Sequence, residues 1–395
     1  MKKGLVLGEV FYPEDFIIND LVYEWHKMEF SIEVLTRAPS YPFGKIYEGY
    51  KNKLYQQTKF EGVKIHRFPF IRGYQHSVII KVLNYFIFLF FSVVIILFIG
   101  KRYDRIFIYQ TGPLTLAVAA IIAKKLYKTK VTIWTQDLWP DTVYAFGFKK
   151  TKVLKYFLDR LVKFIYGNCD TVLVSCEGFA QKLKTYTPKK EIHYVPNWPL
   201  INEIPEIKIT LPGKFNFTFT GNIGKMQNLE NVILGFSTFS KQYSDAFLNI
   251  VGDGSNLAAL KELVDANSID NVNFTGRRPL SEMPAYFQAS DVLIISLVDT
   301  PIYEITIPSK FQTYLTAAKP IFAIMKGEVM NMVEKYNIGL AAMPADQAQI
   351  ALGFEKLYAM SPQEYAVISE NASKLLQKDF LKKNAVKKLT SLFWG

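Results

Sequence analysis

Short apolar runs alternate with amphipathic stretches along most of the chain, the pattern of a parallel α/β fold. Apolar segments at 4–10, 32–36, 63–68, 105–110, 131–135 and 171–175 read as strands. Helical periodicity covers 17–28, 114–126 and 151–166 between them. Between the second and third strands lie a loop with Pro39, Pro42 and Gly44 and a polar stretch. Val195–Leu200 carries two prolines, with Pro205 and Pro212 beyond, and reads as a linker. Strand 215–220 then opens a second series, continued by 247–251, 272–275, 292–296 and 321–324, with a helix at 229–236. The stretch 374–393 reads as one amphipathic basic helix that packs back on the first domain. The expected organisation is two Rossmann-like domains, 1–199 and 200–373, facing each other across a cleft, followed by a terminal helical segment, 374–395. Ligands of such sheets bind beyond the carboxyl ends of the strands.

One segment breaks the alternation. Val82–Gly100 is 19 residues without a charge, bracketed by Lys81 and by Lys101, Arg102 and Arg105. Its length suits a bilayer span, and its position, 80 residues in, is not that of a signal peptide. Strands of one sheet on either side of it argue against crossing, because a hydrogen-bonded sheet is not divided by a bilayer. The expectation is a helix with one face on the sheet and Phe and Ile side chains of the other in the lipid interface; burial in the core is the competing arrangement.

Composition sharpens this picture. With 395 residues, 50% hydrophobic and 21% charged, the chain is globular. The net charge of +12 is uneven: residues 1–199 carry +13 and residues 200–395 carry −1. A basic first half suits anionic lipid or a phosphorylated substrate, and no RNP, zinc-finger or Arg-rich motif supports a nucleic-acid partner. Two cysteines, Cys169 and Cys176, exclude a disulfide scaffold and point to a reducing compartment. His26, His66, His76 and His193 show no ligand spacing, there is no D-x-D pair, and neither a metal nor a cofactor is expected.

Candidate chemistry gathers at strand ends. Gly221-Asn-Ile-Gly224, with Lys225 and Gln227, lies between a strand and a helix, where the backbone approaches an anion closely. It is neither a dinucleotide fingerprint nor a P-loop. Gly252-Asp-Gly254 reads as a tight strand–helix turn, and Arg277 follows the strand at 272–275. Ser309 and Gln312 have the spacing of a capping box, so a helix is expected to begin there. Lys310 then stands in the first turn, against the dipole, as though facing an anion such as a diphosphate. Glu304, just upstream, is placed to reach sugar hydroxyls. In the first half, Asp137 ends a strand among Trp134 and Trp139 and is placed to bind a hydroxyl or act as a base; Glu14 and Asp15, after the first strand, are weaker acceptor-side candidates.

These residues together resemble a family. Tyr12-Pro-Glu14, Leu35 through Gly44 (LTRAPSYPFG), Asp137-Leu-Trp-Pro-Asp141, Gly221 through Gly224 with Gln227 and Glu230, Val251 through Gly254, Phe274 through Arg277, and Ile307 through Lys310 with Ala317 through Pro320 follow one another in the order and spacing of the retaining GT-B glycosyltransferases of family four. The nearest likeness is to the WbuB-like transferases of bacterial surface polysaccharide assembly. The resemblance implies a nucleotide diphosphate sugar held mainly by the second domain, with Lys310 and Arg277 at the diphosphate and Lys225 as a third cation. It implies an acceptor held by the first domain, retention of configuration, and no metal. The inferred acceptor is a polyprenyl-diphosphate-linked glycan at the cytoplasmic face of the bacterial inner membrane. The sequence departs from the family at three places: Gln312 stands eight positions after Glu304 where a second glutamate is usual, Asn222 replaces a common arginine, and Gln136 replaces the histidine before Asp137. A sugar-nucleotide epimerase on the same fold and a non-enzymatic membrane-associated scaffold are the alternatives.

Overall fold

The computed structural model describes residues 2–73, 77–145, 147–200 and 207–395; His76 and Pro205 lie outside them. Two compact units emerge: Met1–Pro196 with Lys383–Gly395, and Asn197–Lys382. The division thus falls three residues before the expected boundary at 199. Only the last thirteen residues, not the expected 22, return to the first unit.

The first unit runs β1 (Lys3–Gly8), α1 (Ile17–Lys27), β2 (Ser31–Arg37), β3 (Gln56–Phe60), β4 (Val63–Phe68), α2 (Val78–Ile99), β5 (Arg105–Gln110), α3 (Ala117–Tyr127), β6 (Lys130–Thr135), α4 (Asp141–Ala145), α5 (Lys152–Asn168), β7 (Thr171–Val174), α6 (Glu177–Lys184) and β8 (Ile192–Tyr194). Its eight strands are ordered β3-β4-β2-β1-β5-β6-β7-β8, all parallel except the β3–β4 pair. Strand order reverses between β1 and β5, which is the switch point of this sheet. β1 stops at Gly8 rather than at the expected 10, leaving Glu9 and Val10 in the loop beyond its carboxyl end.

The uncharged run forms α2, capped by Ser77, whose hydroxyl accepts from the Ile80 amide at 3.3 Å. Because β1 pairs directly with β5, strands on both sides of α2 in sequence share one sheet. Phe88, Ser92, Ile95, Ile96 and Ile99 are buried, whereas Ile79, Phe86, Phe90 and Phe98 are exposed, Phe98 by 81%. Asn84 ties the helix to the preceding loop: its side chain accepts from the Ile71 amide (2.7 Å) and donates to the Ile71 carbonyl (2.9 Å).

The second unit runs β9 (Phe215–Thr220), α7 (Leu229–Ser240), β10 (Ala246–Val251), α8 (Leu257–Ala266), β11 (Val272–Gly276), α9 (Met283–Ala289), β12 (Val292–Ser296), α10 (Pro301–Glu304), α11 (Ser309–Leu315), β13 (Ile321–Ile324), α12 (Glu328–Lys335), β14 (Gly339–Ala342), α13 (Gln347–Tyr358) and α14 (Pro362–Asp379). Its six parallel strands are ordered β11-β10-β9-β12-β13-β14, with the switch point between β9 and β12. Phe217, Phe236, Phe239 and Phe354 anchor the core on one face, with Phe217 and Phe354 edge to face at 4.7 Å.

The expected single helix at 374–393 is two. α14 ends at Asp379, Phe380 is buried against Phe311, and α15 (Lys382–Trp394) begins two residues on. α15 closes the first unit: Phe393 stacks on Trp25 at 5.0 Å, Trp394 on Phe30 at 4.6 Å, and Arg105 donates to the carbonyls of Phe393 (2.6 Å) and Gly395 (2.8 Å).

Candidate functional site

At the switch point of the second unit, three strand ends are locked together through backbone. The Gly221 amide donates to the Val251 carbonyl and the Gly252 amide to the Gly276 carbonyl, both at 2.9 Å. Gly221 has φ +130° and Gly252 φ +154°, and a Cβ on Gly252 would stand 1.9 Å from the Gly221 carbonyl oxygen. One on Gly254 would stand 2.3 Å from the Ile223 carbonyl oxygen. The 252–254 turn is therefore the floor on which the 221–224 loop lies, and no side chain fits between them.

α11 is fixed to the same place by Tyr314. Its buried hydroxyl accepts from the Thr220 amide at 2.9 Å and shares a 3.1 Å hydrogen bond with the Thr220 hydroxyl. Lys310 lies one turn earlier on the same face, so Tyr314 delivers it to the loop. The ammonium lies over the Phe219 ring at 3.8 Å, donates to Gln227 Oε1 at 2.8 Å, and would stand 3.4 Å from a Cβ on Gly221. Among the described residues, no carboxylate pairs with it. Burial without a counter-charge pushes its pKa down to about 7.

The expected capping box is absent. Pro308 occupies the N-cap, Ser309 is already the first helical residue, and no side chain caps the helix. Gln312 is buried, its amide turned back so that the nitrogen donates to the carbonyls of Pro308 (3.1 Å) and Ser309 (2.9 Å). It secures the first turn of its own helix, which leaves that amide nitrogen occupied.

The other candidates of this unit surround Lys310 at different ranges. Asn222 is exposed and its side chain bends over Gly224. Lys225 is exposed in the turn before α7. Arg277 is exposed just past β11, two strands from β9, hence roughly 10 Å away along the row of strand ends. Glu304 is exposed at the end of α10, and its backbone presses on Gly327, where a Cβ would come within 1.9 Å of the Glu304 carbonyl oxygen.

In the first unit Asp137 follows β6 in a loop tied to β5: the amides of Gln136 and Asp137 both donate to the Gln110 carbonyl, at 2.9 and 3.4 Å. Burial, and next the negative charge of Glu9, push the Asp137 pKa up to about 7, with Lys81 opposing. Glu14 is built into the loops beyond the first strand. It is buried, and its carboxylate accepts from the amides of Phe11 (3.1 Å), Ser40 (2.8 Å) and Tyr41 (2.7 Å), clamping two loops together. Three of its hydrogen bonds thus go to backbone, and Asp15 beside it is exposed. Glu9 is the residue that sequence reasoning missed. Read as the inside of a strand, it instead stands free of the ladder at the switch point.

Among the described residues, no group of three or more His, Cys, Asp or Glu side chains is placed to hold a metal ion.

Comparison with known proteins agrees with this architecture. The family model for group 1 glycosyl transferases matches residues 202–375, and that for the glycosyl transferase 4-like domain matches residues 17–198. A probable glycosyltransferase of Pseudomonas aeruginosa, WbjE, is 26% identical over 259 residues, which is 61% of this chain and 63% of that protein. The match thus spans less than two thirds of the relative's length. Sucrose-phosphate synthase from Thermosynechococcus elongatus superposes with a TM-score of 0.76 at 13% identity, over 100% of this chain and 98% of that one. The HepE protein of Anabaena, solved in complex with UDP, superposes with a TM-score of 0.69 at 13% identity over 98% of both chains. At such identities these two likenesses speak for the fold alone. With a group 1 transferase model on the second unit, a 4-like transferase model on the first, and this fold throughout, the chain is a glycosyltransferase of group 1 type with the GT-B fold.

Proposed function

We propose that the protein transfers a hexosyl or N-acetylhexosaminyl group from a nucleotide diphosphate sugar, UDP-linked, to a hydroxyl of a polyprenyl-diphosphate-linked glycan. The transfer proceeds with retention of configuration and without a metal, in the assembly of a bacterial surface polysaccharide. The observation that carries this reading is Lys310, a desolvated ammonium without a carboxylate, held over a glycine loop at a sheet's switch point. Such a cation is poor for folding and good for an anion that arrives later. As the glycosidic bond breaks, negative charge grows on the departing diphosphate. Lys310, with Arg277 and Lys225 farther out, stabilises that charge from fixed positions. The complexes of HepE with UDP and with UDP-glucose favour a uridine nucleotide for this chain too.

On the acceptor side, Asp137 receives the hydroxyl. The exposed apolar face of α2 and the net +13 of residues 1–199 favour a monotopic seat on anionic lipid at the cytoplasmic face of the inner membrane. That is where a lipid-linked acceptor is found. The test is transfer of radiolabelled sugar from a panel of UDP-sugars into the lipid extract of bacterial membranes, in the presence of EDTA. Label in the lipid phase, with no epimerised nucleotide sugar, is the expected result. A strict requirement for manganese refutes the metal-free reading. Epimerisation without transfer refutes the transferase reading.

A further inference from the structure

The switch point of the first unit holds a second polar constellation, built around Glu9. This residue is held on two sides. Its carbonyl accepts from Thr36 Oγ1 (3.2 Å) and Arg37 Nε (3.3 Å), and its Oε1 lies 3.4 Å from Arg37 Nη2. Its Oε2 fills the space beside Gly112, where a Cβ would come within 2.0 Å. Gln110, fully buried at the end of β5, donates to the Gly112 carbonyl at 2.8 Å, and its own Oε1 is buried without a partner among the described residues. The Nε2 of Gln136, next to Asp137, is likewise buried without a partner among the described residues. An unsatisfied buried acceptor and donor cost free energy until a ligand meets them.

The apolar helix contributes to the same place. The Tyr85 hydroxyl is within the electrostatic reach of Glu9, Asp137 and Arg37, and Lys81, one turn earlier on α2, acts on Asp137. Tyr109 of β5 and Tyr166 of α5 also feel Asp137. Two carboxylates, an amide oxygen, an amide nitrogen and a phenol, balanced by Lys81 and Arg37, suit neither a free anion nor a fatty chain. They suit vicinal hydroxyls, each of which donates to one group and accepts from another.

We propose that Glu9, Asp137, Gln110 and Gln136, with Tyr85 of α2 as the wall, bind the acceptor sugar ring through its hydroxyls, and that Glu9 sets the position of that ring against Asp137. One helix then bears both a wall of the acceptor site and the exposed apolar face. The inference rests on the acceptor reading of this unit given above, and the experiment separates the two.

Full-length wild type, Glu9→Gln, Glu9→Asp and Gly112→Ala are assayed for transfer from the UDP-sugar to farnesyl-diphosphate-linked N-acetylglucosamine. Acceptor-free donor hydrolysis is followed in parallel. Gly112→Ala leaves every polar group in place and only displaces the Glu9 carboxylate. Loss of a hydrogen bond to a charged group is worth about 1.5–3 kcal/mol, so the acceptor KM is expected to rise by roughly ten- to a hundredfold in Glu9→Gln and Gly112→Ala. Donor KM stays unchanged, and Glu9→Asp recovers part of the loss. In Glu9→Gln the acid limb of the rate profile moves to lower pH, because one negative charge no longer opposes ionisation of Asp137. Wild-type transfer with an unchanged acceptor KM and an unmoved acid limb in Glu9→Gln overturns this proposal alone. Donor hydrolysis without transfer by wild type overturns the acceptor reading and the proposal with it.

Discussion

Replacing Lys310 by methionine is expected to make the protein more stable and nearly inactive. The substitution keeps the unbranched stem over Phe219 and removes only the charge and its 2.8 Å hydrogen bond to Gln227. The ammonium's folded pKa lies near 7, against 10.5 for the free side chain. At about 1.4 kcal/mol per pH unit, that displacement corresponds to several kcal/mol, which the side chain's partial exposure reduces to a few. The sign follows from proton linkage. Between pH 7 and 10.5 the unfolded chain binds the proton that the folded chain has lost, so buried Lys310 makes a destabilising contribution that is largest at pH 7 and below and fades as pH rises across that window. Lys310→Met removes that contribution, and its denaturant midpoint at pH 7 should exceed that of the wild type by the equivalent of about 1–3 kcal/mol. Turnover should fall by about 10²–10³, the usual effect of deleting one preorganised charge. Equilibrium urea unfolding at pH 7, 8.5 and 10, alongside the transfer assay, measures both. A variant less stable than wild type at pH 7, or one with near-normal turnover, would show that Lys310 is neither a folding penalty nor the donor-side cation.

Gly252→Ala should destabilise the second unit by about 2–4 kcal/mol, visible as a lowered unfolding midpoint, because its Cβ would meet the Gly221 carbonyl oxygen at 1.9 Å. Asp137, with a folded pKa near 7 and an ordinary value of 3.8, keeps its proton in the folded state across that window. Its contribution to stability therefore falls as pH rises through it, and Asp137→Asn should flatten the dependence in pH-resolved thermal unfolding. Serine at both Phe86 and Phe90, exposed on α2, should cut co-sedimentation with anionic vesicles about tenfold or more at equal fold stability. High salt alone should weaken it less, since screening reaches only the electrostatic part.

The strands that build the sites were legible because both sheets are buried, so β4, β5, β9, β12 and β13 appear as apolar runs with the observed bounds. β3 was not, since Gln56–Phe60 is a polar antiparallel edge strand with alternating exposure. The three residues of β8 and four of β14 are too few to show a period. Serine and glutamine three apart resembled a cap, but Pro308 took the N-cap and moved the helix start by one position. The terminal helix broke because Phe380 turns into the core, a tertiary preference that a helical period does not register. Lys310 was found from its conflict with the dipole, whereas its burial comes from Phe219 and from Tyr314 anchoring α11 to Thr220, contacts about ninety residues apart in sequence. Glu9 had no local signal. Its neighbours Gly112, Arg37 and Asp137 meet only once β1, β2, β5 and β6 are adjacent.

Whether Lys310 meets a diphosphate is read out by proton-linked calorimetry. UDP, GDP and dTDP are titrated into the full-length protein at pH 8 in two buffers of different ionisation enthalpy, with EDTA present. At that pH a lysine with a pKa near 7 is mostly neutral, and meeting a diphosphate should restore its proton. The expected result is binding of one of the three, UDP foremost, with uptake of close to one proton in wild type and none in Lys310→Met, whose affinity is also weaker. Binding without proton uptake, or binding equally tight in Lys310→Met, would contradict it.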